Sequence, residues 1–246
     1  MKAIFKREFA SYFTSPLGYI ILAIYGFLSG LFILISYYDT GYSYAIADGI
    51  APMMNFALFI IPPITMKSFT DEKRQHTDQA LLTAAVSLWD IVLGKFFSAF
   101  ALYVICTLYY FVYVLFTLMF IPSPAIEWGV LFTCWLGIVL LGAAMLAVNL
   151  FYSSLTASQI LAVVVGMGTG LFIMLYDVII FTVANSISSM FKVDYQIVVL
   201  DKLSVTSHFT NFVSGVLNPG DIVFFVSFAL VFLFFTNRVL DKKRWS

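Results

Sequence analysis

The chain has 246 residues, of which 62% are hydrophobic and 11% charged, against about 25% charged in an average soluble domain. Formal net charge is zero, so there is no basic surface for nucleic acid. Cys106 and Cys134 both fall inside apolar runs, where they behave as small hydrophobes and imply no disulfide.

Residues 2–14 read as a helix that does not span a membrane. Phe5, Phe9, Tyr12 and Phe13 recur at i, i+4, i+7 and i+8, with Arg7, Ser11 and Thr14 opposite. Such a helix lies in the interface plane with its aromatics among the acyl chains. Ser15-Pro16 then turns the chain. Two roles stay open for it: an anchor that orients the first span, or a lever that transmits motion from a cytoplasmic partner. The apolar run behind it is of full span length and lacks a small-x-small cleavage site, so it is predicted to be a retained helix.

Six long apolar stretches follow, at 17–36, 50–66, 96–121, 128–151, 159–184 and 219–237. A helix needs about 20 apolar residues to cross a bilayer core of roughly 30 Å. The stretches are continuously apolar, which argues against the alternating strands of a β-barrel. The predicted fold is therefore an all-α integral membrane protein. It has six transmembrane helices, an interfacial helix over 1–16, a cytoplasmic segment over 67–95 and an extracytoplasmic segment over 185–218, in one domain. Lys192 and Lys202 apart, the 13 basic residues lie in the N-terminal segment, in 67–95 or in the C-terminal tail. The positive-inside rule then predicts that both termini are cytoplasmic.

Within the spans, Gly26 and Gly30, and Gly166 and Gly170, sit at i and i+4, where helices can approach closely. They could pack within one subunit or between two. Pro62-Pro63 is expected to kink or break the second span. Asp177 is the clearest acid in an apolar run. Intramembrane acids are costly and often functional, which makes Asp177 a candidate for a pathway or gating role. At about 18 residues into its span, roughly 27 Å along the helix, it also fits an interfacial position. Asn218-Pro219 reads as an N-cap with proline in the first helical position, and Asp221 suits the first turn.

The 67–95 segment is the most informative polar stretch. Thr70 and Asp71 suit a helix start, Thr77-Asp78 a second, and Ser87 with Asp90 resembles a capping box. A polar half (Asp71, Glu72, Lys73, Arg74, Asp78) precedes an apolar half (Leu81, Leu82, Val86, Leu88, Trp89). It is either a surface that a soluble partner grips or a solvated charge run tucked against the bilayer.

Asp71-Glu72, Lys73-Arg74, Thr77, Leu81-Leu82-Thr83, Val86-Ser87 and Leu93-Gly94-Lys95-Phe96 follow one another in order. This pattern resembles the signature loop of ABC transporter permeases of the six-helix, type-II exporter class, and is particularly similar to the gliding-motility-type subgroup. Further blocks that match are Arg7-Glu8, Tyr12-Phe13, Ser15-Pro16, Ser153-Ser154-Leu155-Thr156, Gly215-Val216-Leu217 and Lys243-Arg244-Trp245. His76, Asp78 and Ala84-Ala85 depart from the pattern. The resemblance implies a permease of the bacterial cytoplasmic membrane that pairs with a second copy or a related permease. It also implies a separate ABC ATPase subunit, which holds ATP and Mg and seats the Thr70–Leu88 segment as a coupling helix.

This chain has no Gly-x-x-x-x-Gly-Lys-Ser/Thr, no His-Glu-x-x-His and no nucleophile set with a nearby base. It is expected to have no catalytic, cofactor or metal site of its own. The rival reading is a passive channel or structural membrane scaffold without an ATPase. The transported substrate is not legible.

Overall fold

A computed structural model describes residues 1–39, 45–75, 87–120, 127–191 and 204–245. The helices among them are α1 (Lys2–Thr14), α2 (Pro16–Asp39), α3 (Ala45–Ile50), α4 (Met53–Thr65), α5 (Lys67–Arg74) and α6 (Leu88–Thr107). They continue with α7 (Tyr109–Phe120), α8 (Trp128–Leu155), α9 (Gln159–Phe191), α10 (Val205–Val213) and α11 (Pro219–Trp245). No strand occurs among the described residues. Among the described residues six stretches are long and apolar enough to cross a membrane: Pro16–Asp39, Asp48–Arg74, Leu88–Met119, Trp128–Leu155, Gln159–Tyr176 and Pro219–Arg244.

The fold is built around α8. In its apolar window 61% of residues are buried, against 22% in α9 and in α11. Its inward positions include Gly137, Gly142, Ala144, Ala147, Ser153 and Ser154, and small side chains let neighbouring backbones close in. Helices α4, α6, α10 and α11 all pack on it.

Both glycine pairs pack within the chain. Gly26 and Gly30 face Tyr109 and Tyr113 of α7, and the Tyr113 hydroxyl donates to the Gly26 carbonyl at 2.6 Å. Gly166 meets Asn149 and Pro62, while Gly170 meets Leu58.

Pro62-Pro63 does not break the second span. Both lie inside α4, and the turn at Met66 keeps helical angles (φ −54°, ψ −36°) before α5 resumes. Proline's fixed φ suits a helix, and Met66 N–H donates back to the Pro62 carbonyl at 3.0 Å. What is lost is the donor for the Phe59 carbonyl, four residues before Pro63, and that for the Leu58 carbonyl, four residues before Pro62. The Leu58 carbonyl faces Gly170, where an added Cβ would sit 3.2 Å from it.

Some boundaries differ from the sequence reading. Thr70 and Asp71 do not open a helix, because α5 begins at Lys67 and the Thr70 hydroxyl bonds back to the Met66 carbonyl. The helix of the third span begins at Leu88, where the Ser87–Asp90 capping box placed it, so it runs well ahead of the apolar stretch at 96; Ser87 caps it by accepting from Asp90 N–H at 3.1 Å. The fifth span continues as helix to Phe191, beyond residue 184.

Candidate functional site

One end of the bundle gathers α1, α5, the start of α6, the turn between α8 and α9, and the last turns of α11. Lys95 sits two turns into apolar α6 and is 1% exposed. A buried ammonium requires a charge partner, and Lys95 has two. Its Nζ donates to Glu72 Oε1 at 2.8 Å and Glu8 Oε1 at 3.2 Å. It also donates to the Ser68 carbonyl and lies 5.0 Å from the Phe69 ring centroid. Arg7 closes the group, donating to Glu8 at 2.7 Å and Glu72 at 3.0 Å. The Glu8 carboxylate, chiefly, holds the Arg7 guanidinium above its usual pKa. Two cations and two carboxylates thus form a neutral quartet tying α1, α5 and α6.

A second tether comes from Tyr12, whose hydroxyl donates to the Ile64 carbonyl at 2.9 Å. Burial raises the phenol pKa. The sequence reading placed Tyr12 with the membrane-facing aromatics; instead it turns inward, since a phenol has a hydroxyl to satisfy and a phenylalanine does not. Phe5, Phe9 and Phe13 stay half-buried in a column with centroid spacings of 5.7 and 5.2 Å. Gly94 lets Ile4 approach α6, since a Cβ there would lie 3.0 Å from it.

The other charges of α5 point elsewhere. Asp71 accepts from Gln159 Nε2, and Lys73 donates to the carbonyls of Ser154 and, at 3.1 Å, Thr156. Phe69 N–H donates to Ser153 Oγ at 3.1 Å, and Lys243 reaches the Ser154 carbonyl at 3.0 Å. Arg74 is exposed. Helix α5 is therefore a hub: Glu72 faces α1 and α6, while Asp71 and Lys73 face the α8–α9 turn. Thr77, Asp78, Leu81, Leu82 and Val86 lie outside the described residues, as does the side chain of Asp177.

Glu8 and Lys95 join this group although the residue patterns did not single them out as site residues. The available signal was a lysine flanked by apolar residues in a span, which demands carboxylates nearby. A second cluster that sequence reading missed lies at the opposite end. Asp221, 2% exposed, accepts from Asn211 Nδ2 at 2.8 Å and meets His208 Nδ1 at 2.5 Å. His208 stacks on Phe224 at 4.2 Å. This clasp fastens α10 to the capped start of α11, where Asn218 Oδ1 accepts from Gly220 N–H at 3.0 Å.

Among the described residues no group of three or more His, Cys, Asp or Glu is placed to hold a metal, and both cysteines are free and buried. The quartet's charge-assisted bonds join α5 to both α1 and α6.

No curated protein matches this chain. Residues 1–197, which include the whole quartet, match the family model for the ABC-2 type transporter; the chain belongs to that family, as a membrane-spanning permease and not an enzyme.

Proposed function

We propose that this chain is the membrane half of an ATP-driven exporter of the type-II class, similar to the gliding-motility-type subgroup. It pairs with a second copy or a related permease in a bacterial cytoplasmic membrane. A separate ABC ATPase binds ATP and Mg and docks at the end carrying α1 and α5, which faces the cytoplasm. Thr70, Asp71, Glu72, Lys73, Arg74, Thr77, Asp78, Leu81, Leu82, Val86 and Ser87 form the coupling segment. The interfacial helix serves as the lever. Asp177 is the candidate pathway acid.

The observation that carries this reading is the Lys95 quartet. Segment 76–86 leaves from the end of α5 and returns at Ser87, so both its roots lie beside a joint that also holds α1. Force applied to that segment has a rigid route into the second and third spans.

The test is co-purification of the ATPase with the full-length permease in mild detergent. Replacing Leu81 and Leu82 by Asp should abolish ATPase attachment while the permease remains folded. Lys95→Met, with the loop sequence intact, should uncouple transport and loosen α1. Undiminished attachment in the Leu81/Leu82 variant would sink the coupling assignment. Orientation is checked by cysteine labelling of intact cells. Ser214→Cys, at an exposed site of the far end, should react from outside, and Gln75→Cys should not.

A further inference from the structure

A groove of about 510 Å³ runs between α2 and α4. Its walls are hydrocarbon: Pro16, Ile24 and Leu28 on α2 face Phe56 and Pro63 on α4, and Lys67 stands at one end. From Pro16 to Leu28, about 12 residue steps of 1.5 Å cover roughly 18 Å; from Lys67 to Phe56 the same rise covers about 16 Å. One leaflet of a bilayer is about 15 Å deep, half of its roughly 30 Å core. The groove therefore starts where α2 leaves the interfacial helix and has the depth of one acyl chain.

Lys67 marks the headgroup level of that leaflet. It is half-buried, and it makes no hydrogen bond or ion pair among the described residues. Lys73, Lys95 and Lys243, at the same end, each bond a partner. A lysine stem lies along apolar surface while its ammonium reaches toward polar groups. Here the stem borders the groove, and among the described residues no carboxylate forms an ion pair with the ammonium.

We propose that this groove binds one anionic phospholipid, its acyl chain between α2 and α4 and its phosphate at Lys67 Nζ. A zwitterionic lipid fits the hydrocarbon walls equally well but brings no net charge to the lysine. The site is independent of the ATPase assignment.

The full-length protein in nanodiscs of equimolar phosphatidylglycerol and phosphatidylcholine supplies the test, with retained lipid counted by native mass spectrometry. Wild type should hold one phosphatidylglycerol in preference to phosphatidylcholine. Lys67→Gln should reduce that preference about fivefold, the worth of one basic contact at the membrane surface, and Lys67→Arg should restore it. Ile24→Trp, which fills the groove, should release both lipids. Equal retention by wild type and Lys67→Gln overturns the proposal. So does displacement by millimolar inorganic phosphate, which would make the site one for free anions. Disulfide-linked dimers of Ile24→Cys in the bilayer would assign the face to a second copy and overturn it as well.

Discussion

Helices α8 and α9 are both long, apolar and rich in small residues, yet α8 is the axis of the bundle and α9 lies at its edge. In α8 the small residues are spread around the helix, so neighbours close in on several sides. In α9 they form one seam: Gly166 and Gly170 press on α4 and α8, whereas Gly168 faces open space. Apolarity decides that a segment crosses the membrane. The angular distribution of small residues decides how many neighbours it takes.

Three substitutions grade this contrast, each read as unfolding free energy of the detergent-purified protein. Gly142→Ala should cost most. Its Cβ would fall on the Tyr103 ring, which is fully buried and held by its hydroxyl on the Ile138 carbonyl at 3.2 Å, so about 3 kcal/mol is expected from overpacking. A change near zero there would remove α8 from the centre of the packing. Gly166→Ala should cost about 1 kcal/mol, because it meets the movable amide of Asn149 and the fixed ring of Pro62. The Asn149→Ala background should relieve part of that cost, and strict additivity of the two would show that the seam does not run through Asn149. Gly168→Ala should stay within about 0.5 kcal/mol; a larger loss would mean that its open side is covered by another chain in the membrane.

The six spans were legible because hydrocarbon thickness imposes a length that composition alone reveals. Caps were legible too: Ser87 and Asn218 do what local chemistry demands. Gly215 ends α10 with φ 77°. There Val216 N–H bonds the Asn211 carbonyl and Gly215 N–H the Phe212 carbonyl, the pattern of a left-handed helix end. What the residues alone could not provide was partnership across distance. Lys95 looked like the loop-side boundary of a span because a charge usually marks the membrane edge, and only the arrival of Glu8 and Glu72 allows it inside. Asn149 of α8 lies against Gly166 of α9. Its amide nitrogen bonds its own helix at the Met145 carbonyl, 2.8 Å away, because the carbonyl one turn back is within reach. Its oxygen is buried with no partner among the described residues.

The tethers of α1 also fix an order of events during synthesis. The polar groups that seat it, Ile64 O, Glu72, Asp90 and Lys95, belong to chain made later. While the second and third spans are still emerging, Glu8 and Arg7 have only each other, and the phenylalanine column can rest on lipid acyl chains alone. Docking of α1 thus reports that the third span has inserted, so a nascent chain stalled before Lys95 should leave this helix open to protease where the finished protein shields it.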